Sequence, residues 1–366
     1  MVTFILLLSI VPLGADSVAQ TSLIPLQDGR QIFRAACAAC HGPDGRGQPR
    51  STVGFDTPLP DFTDCSFATP ETAADWVGIA HQGGPVRAFD RRMPAFGEVL
   101  SDEQIQRTID YVRGLCADRA WPRGELNLPR ALVTEKAFPE NEAVLTTTVA
   151  GGDAATFQNV LLYEHRLGAR SQVEVAVPLA FQKSTAGDWQ RGLGDIAVAV
   201  KHALFHSLDS GTIVSAAAEV SLPTGKENQE LGKGVTIFEP FVAAGQILPS
   251  GGFVQFQGGI ELPANRDRAN NEAFWRVALG KSFIEGRFGR SWSPIVELVG
   301  ARALGADERT QWDIVPQMQV SLSKRQHILI NAGVRIPMTD RRERDTQVVT
   351  YLLWDWFDGG LFDGWR

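Results

Sequence analysis

From residue 143 to residue 356 one pattern governs the chain: apolar and polar residues alternate with a period of two, segment after segment. Val173, Val175, Val177, Leu179 and Phe181 share one face of such a segment, with Gln172 and Glu174 opposite. Trp312, Ile314, Pro316, Met318, Val320 and Leu322 form a second stripe, against Gln311, Asp313, Gln317, Gln319 and Ser321. Ile328, Ile330, Ala332, Val334 and Ile336 form a third, against His327, Asn331 and Arg335. A helix would scatter these residues around its surface, whereas an extended strand collects them on one side. About 12 segments of this kind can be traced, near 143–152, 156–167, 171–182, 193–206, 211–222, 234–247, 252–262, 272–284, 291–304, 310–322, 326–337 and 345–356. Most run for 10–14 residues, long enough to cross a bilayer as tilted strands.

The links between segments sort into two kinds. The second-to-third, fourth-to-fifth, sixth-to-seventh and tenth-to-eleventh are short: Gly168-Ala169-Arg170, His206 to Ser210, Pro249 to Gly251, Ser323 to Arg325. The third-to-fourth, fifth-to-sixth, seventh-to-eighth and eleventh-to-twelfth are longer and polar, as in Pro223 to Lys233, Pro263 to Asn271 and Met338 to Arg344. Short turns alternating with long polar loops are the layout of an outer-membrane barrel, the turns lying in the periplasm. The pattern predicts an antiparallel transmembrane β-barrel of about 12 strands over 143–357, its first strand starting in the periplasm. A soluble β-sandwich or lipocalin-like barrel also alternates. The even strand count, the loop alternation and the strand lengths favour the membrane form. Composition agrees: mean hydropathy is -0.08, and beyond the first 20 residues no apolar run approaches the ~18–20 residues of a membrane helix. A net charge of -7 argues against a nucleic-acid binder working through a basic surface.

The remainder of the chain is different. Phe4 to Gly14 is a short apolar core, and small residues at Ser17 and Ala19 suit cleavage after Ala19, so residues 1–19 read as a signal peptide and the mature chain as exported. Residues 22–116 hold all four cysteines and read as helices joined by Gly/Pro-rich loops. Asp28 is placed to cap a first helix through about Ala39. Thr69-Pro70-Glu71 suits the start of a second, with Thr69 as cap, ending near His81 before Gly83-Gly84. Ser101 and Gln104 form a capping box for a third, which gathers Ile105, Ile109 and Val112 on one face. Residues 117–142, with Pro122, Pro129 and Pro139, read as a linker, and 358–366 as a C-terminal tail.

Chemistry concentrates at Cys37-Ala38-Ala39-Cys40-His41, a C-x-x-C-H sequence of the kind that attaches a c-type haem covalently. On a helix, positions i, i+3 and i+4 share a face, so two thioether-forming thiols and an iron-ligating imidazole point the same way. A redox dithiol would need a thioredoxin-like βαβ context, and a zinc site two further ligands at recognised spacing; the sequence offers neither. For the sixth iron ligand, Met93 in Arg92-Met93-Pro94-Ala95-Phe96-Gly97 is the leading candidate and His81 the runner-up. Met/His ligation raises the potential and closes the iron to outside ligands, whereas bis-His ligation gives a lower potential. Cys65 and Cys116 remain, and in an oxidising compartment an even pair favours a disulfide over two buried thiols. His165, His202, His206 and His327 form no ligand cluster by spacing and read as lumen or interface residues.

Cys37-Ala38-Ala39-Cys40-His41-Gly42-Pro43-Asp44-Gly45, the Met93-Pro94-Ala95-Phe96 loop and the closing helix from Leu100-Ser101 to Cys116 resemble the class I cytochrome c family, over about a quarter of the chain. The resemblance implies one covalent haem c, one-electron transfer, and a periplasmic donor or acceptor protein as partner. Gly192-Leu193-Gly194-Asp195 and Leu222-Pro223-Thr224-Gly225 resemble outer-membrane channels linked to aromatic-compound degradation. The order cytochrome-then-barrel resembles the fused outer-membrane cytochrome–porins of iron-oxidising bacteria. The leading expectation is therefore an outer-membrane electron-transfer protein, embedded in lipid, its haem at or partly within the periplasmic mouth. Two alternatives stand beside it. One is a solute channel with a periplasmic redox module, its selectivity set by lumen residues such as Glu174, Asp313 and Arg335. The other is a soluble periplasmic cytochrome with an all-β interaction domain. A peroxidase-type enzyme is disfavoured, because six-coordinate iron leaves substrate no open position.

Overall fold

The alternating segments pair into one closed antiparallel sheet. The computed structural model describes residues 27–54, 58–151, 156–183, 187–229, 231–305 and 308–356. The expected signal peptide at 1–19 and tail at 358–366 lie outside them. The strands are β1 (Glu142–Ala150), β2 (Thr156–Leu167), β3 (Ser171–Lys183), β4 (Trp189–Leu193), β5 (Ile196–Ser207), β6 (Thr212–Leu222) and β7 (Ile237–Ile247). They continue with β8 (Gly252–Pro263), β9 (Glu272–Lys281), β10 (Phe283–Ile284), β11 (Ser291–Ala303), β12 (Gln311–Ser321), β13 (Ile328–Pro337) and β14 (Gln347–Asp355). β4 and β5 both pair with β3 and form one barrel strand broken at Gly194-Asp195. β9 and β10 both pair with β11 and form another, broken at Ser282. That leaves 12 strand positions, closed by the β1–β14 ladder from Glu142↔Asp355 to Ala150↔Gln347. The sequence expectation of about 12 strands holds, with boundaries within a few residues.

The two faces of the sheet are inverted relative to a soluble protein. Outward-facing Leu179 is 54% exposed, and Val200, Leu279, Met318 and Ile330 are exposed with it. Inward-facing Gln172, Glu164, Lys201 and Glu297 are fully buried. An apolar outer band around a polar interior is what a hydrocarbon surround requires, because closure pairs every edge and only apolar side chains meet lipid. The barrel is an outer-membrane barrel.

The helical unit precedes it. Asp28 accepts from Arg30 N and starts α1 (Gly29–Ile32), which passes through a π turn (Phe33–Cys37) into α2 (Ala38–His41). Short α3 (Arg50–Val53) and α4 (Cys65–Ala68) follow, then α5 (Ala73–Gln82) and α6 (Asp102–Arg113). The capping box at Ser101 and Gln104 forms as expected, whereas α5 begins later than expected. Its cap is Thr72, while the Thr69 hydroxyl donates to Cys65 O and closes α4 instead. Thr69 is drawn off because the Cys65–Cys116 disulfide, Cα–Cα 5.2 Å, fixes α4 against the end of α6. At Gly29 the first helix crosses α6 so closely that any side chain would overlap the Arg107 carbonyl. Ile32, Phe33, Phe62, Trp76, Leu100, Ile105, Ile109 and Val112 form the core of this unit.

The segment expected as a linker is part of the barrel's interior. After a single 3-10 turn at Gly124–Leu126 the chain rises into the lumen and returns to β1. Leu126, Ala137 and Phe138 pack on Ile213, Phe241 and Phe274, while Leu128 and Ala131 pack on Phe253 and Ile295. At its crest the backbone N–H groups of Val133 and Thr134 donate to the Glu297 carboxylate. Its prolines suit a linker; the partners that bury it lie on distant strands.

Candidate functional site

The C-x-x-C-H residues sit at the junction of the π turn and α2, and a π turn inside a helix is a frequent mark of a working site. Gly42, at φ 73°, ends α2 and lets the loop fold back, so that Gly47 N donates to His41 O and Gln48 N to Cys40 O, each at 2.8 Å. Phe62 N donates to Gly45 O and brings the Phe62 ring against His41, centroids 4.9 Å apart. The Cys37 and Cys40 thiols have no disulfide partner. Burial first, and then the neighbouring Cys40, push the Cys37 thiol up to about 11. Burial pulls His41 down to about 4, which keeps the imidazole neutral, and its Nδ1 has no hydrogen-bond partner among the described residues.

These residues line a cavity of about 470 Å³ whose walls include Phe33, Trp76, Ile79 and Ile109. Met93 lines the same cavity. It is held there by a strap running back along α5: Gly84 N donates to Met93 O, Phe96 N to Ala80 O, and Gly97 N to His81 O. His81 is not among the lining residues. Its Nε2 lies 3.5 Å from Asp102 and 3.3 Å from Arg287, and its ring 5.3 Å from Phe288. Two unpaired thiols, a neutral imidazole and a thioether around one largely apolar cavity fit a c-type haem in size and donor chemistry.

One wall of the cavity was not legible in the sequence. Glu71, Asp75 and Arg87 line it from the helical unit, and Arg325 lines it from the β12–β13 turn of the barrel. This is where the two parts of the chain meet. Glu71 bonds His327 at 2.8 Å, Arg87 donates to Phe288 O at 2.7 Å, and Arg287 pairs with Asp102 at 2.7 Å. Arg170 and His206 both reach Ala120 O. All of these barrel residues lie at the short-turn end, so the cavity sits on that rim.

Inside the lumen the polar side chains form a connected set. Arg130 reaches Glu142, Glu164 and Glu135 at 2.6, 2.9 and 3.0 Å. Lys136 pairs with Glu140 and Glu142, and Lys201 with Glu135 and Glu174. Glu174 is thus engaged with Lys201 rather than facing an open pore. Asp313 and Arg335, higher in the lumen, are paired with each other at 2.6 Å, and Arg344 joins them. The two short channel-like motifs also meet. Thr224 donates to Gly194 O, and the Asp195 carboxylate accepts from Gly225 N and Lys233 N, tying the β6–β7 loop over the break between β4 and β5.

Comparison with known proteins divides the chain in the same way. Residues 25–112 match the family "Cytochrome C oxidase, cbb3-type, subunit III". Residues 141–359 match the family "Putative MetA-pathway of phenol degradation". Cytochrome c6 of Gracilaria tenuistipitata var. liui is 34% identical over 98 residues, 26% of this chain and 79% of that protein. Among solved structures, an outer membrane channel from Pseudomonas putida F1 is 12% identical, with 62% of this chain and 99% of that one covered at a TM-score of 0.44. The NanC porin is 9% identical, with 58% and 98% covered at a TM-score of 0.42.

Proposed function

Since this chain belongs to the phenol-degradation MetA-pathway family through its barrel, and its N-terminal quarter belongs with cytochrome c6, we propose that it is an outer-membrane electron-transfer protein with one haem c at the periplasmic mouth of the barrel. The haem supplies reversible one-electron transfer at its iron. Cys37 and Cys40 would hold it covalently, and His41 and Met93 would ligate its iron. The ligand pair leaves substrate no open position, so the role is transfer between periplasmic partner proteins rather than catalysis. The apolar wall of Phe33, Trp76, Ile79 and Ile109 keeps water from the centre, and the contacts at Glu71, Arg87 and Asp102 fix the unit on the barrel rim.

The observation that carries this reading is that Met93 and His41 line one cavity while His81 is held away from it by Asp102, Arg287 and Phe288. The test uses the full chain in sealed liposomes with a membrane-impermeant reductant. Reductant on the short-turn side is expected to reduce the protein, and the same reductant confined to the other side is not, because one haem on the rim does not bridge an apolar band of ~25 Å. Equal reduction from both sides would refute the rim position. A solute channel is the second reading. It requires residues 124–140 to leave the lumen.

A further inference from the structure

We infer that the barrel completes the haem site: Arg325 is the cation against which the haem's carboxylates are placed, so the barrel sets part of the haem's reduction potential. This rests on the haem reading above. Arg325 belongs to a barrel turn, yet it lines the cavity formed by Cys37, Cys40, His41 and Met93. It is buried, 8% exposed, and its guanidinium lies 4.3 Å over the Phe89 ring, itself part of the cavity wall.

The turn that carries Arg325 is rigid. Leu322 N donates to Ile328 O, and Ser323 Oγ accepts from both His327 N and Ile328 N. Just after Arg325 it is also clamped to the cytochrome. His327 bonds Glu71, and Gln326 Nε2 reaches Asp75 at 3.5 Å and Gly289 O at 3.4 Å. Glu71 and Asp75 are themselves cavity-wall residues, so the turn and this wall are one assembly.

A guanidinium keeps its charge at any working pH. Its flat fork matches a carboxylate better than an ammonium does, and a haem carries two carboxylates. A fixed positive charge beside a redox centre favours the electron-richer form, more strongly where water is excluded. Arg325 is therefore a positioning residue for the cofactor and a source of its potential.

The experiment is a redox titration of full-length protein in detergent or liposomes, followed by haem absorbance. In Arg325→Gln the oxidised-to-reduced equilibrium is expected to shift about tenfold toward the oxidised form, which for one electron is 59 mV lower. Arg325→Lys is expected to stay within about twofold of wild type, and Arg325→Met repeats the neutral case should the glutamine variant fail to assemble. Arg287→Gln is the control: it removes the Arg287–Asp102 contact between the two parts without touching the cavity wall, and no shift is expected. Wild-type potential in both neutral variants would overturn the inference. So would an equal shift in Arg287→Gln, which would assign the effect to docking instead of to this charge. Wild-type protein lacking haem absorbance would overturn the haem reading itself, a failure distinct from either.

Discussion

Replacing Lys201 with methionine keeps most of the side chain's length and removes its charge together with its N–H donors. Lys201 is fully buried, with Nζ 2.8 Å from Glu135, 3.4 Å from Glu174 and 3.9 Å from Glu164. Its fourth contact is Lys136 O at 2.9 Å. Glu135 and Lys136 belong to the lumen segment, while Glu164 and Glu174 belong to the wall, so this ammonium ties one to the other. At an effective dielectric of about 20 the three carboxylate contacts are worth roughly 6, 5 and 4 kcal/mol before desolvation is charged against them. Most of that gain is offset by taking the charges out of water. What remains is asymmetric: three carboxylates whose oxygens lie within 4.8 Å of one another would lose their shared counter-charge. Breaking a buried set in this way costs about 3–5 kcal/mol.

That cost falls on the docking of residues 124–140, whose hold on the wall should weaken by about two to four orders of magnitude. In planar bilayers Lys201→Met is expected to show conductance events that wild type lacks, and in denaturant titration a lower midpoint. Adding Glu135→Gln removes the carboxylate nearest to Lys201 and is expected to restore part of both, with a coupling above about 1 kcal/mol in the double-mutant cycle. Wild-type conductance together with a wild-type midpoint in Lys201→Met would refute the reasoning that this lysine anchors the segment.

Three further outcomes are expected. Burial by itself pulls the His327 imidazole down, but Asp355 and Glu71, each at 2.8 Å, outweigh it and hold its pKa well above the usual range. A raised folded pKa means the contribution is complete below about 6.5, the unfolded value, and is lost as pH rises through the folded pKa. Protection from hydrogen exchange in the first turn of α5, taken relative to the intrinsic rate at each pH, should therefore hold through neutral pH and fall only in alkali, a dependence that His327→Gln abolishes; protection that rises with pH would contradict this. Opening the Cys65–Cys116 disulfide, with a sequence separation of 51, by Cys65→Ala/Cys116→Ala should destabilise the cytochrome unit by about 4 kcal/mol in denaturant titration. Met93→Ala should change the ferric spectrum and lower the potential, while His81→Ala should leave the spectrum as it was.

The strands were legible because a barrel wall writes its two environments directly into alternate residues, and lipid keeps most of the outer stripe apolar. The C-x-x-C-H motif was legible because its two cysteines and its histidine fall within five positions, Cys37 to His41. Choosing Met93 over His81 was harder, since both follow at plausible distances. In the structure a strap of hydrogen bonds places Met93 in the cavity wall, and Asp102 and Arg287 hold His81 outside it. Thr69 misled because Thr-Pro-Glu satisfies the local rules for a helix start; a disulfide to a residue 51 positions away decided otherwise. Arg325 carried no signal at all. It is one charge in a short polar turn, and its neighbour Phe89 is more than 200 positions earlier in the chain.

The lumen segment shows why such partners stay hidden, and it bears on where the haem sits. Seen alone, residues 124–140 mix apolar and charged positions without helical or strand periodicity. The wall supplies the missing half of the pattern. Small residues at Ala243, Ala278 and Gly245 make room where Phe138, Leu128 and Ala131 pack. Carboxylates and amides at Glu297, Gln317 and Gln257 receive the N–H groups of Thr134, Leu132 and Glu135, which no helix or strand satisfies. Wall and segment are thus shaped for each other, and the cytochrome's own chain end leads directly into the filling. A domain of this size entering the lumen would have to displace that segment and strand the charges of Arg130, Lys136 and Lys201 against their carboxylates, at several kcal/mol each. A haem on the rim displaces nothing, and there the barrel can still reach it through Arg325.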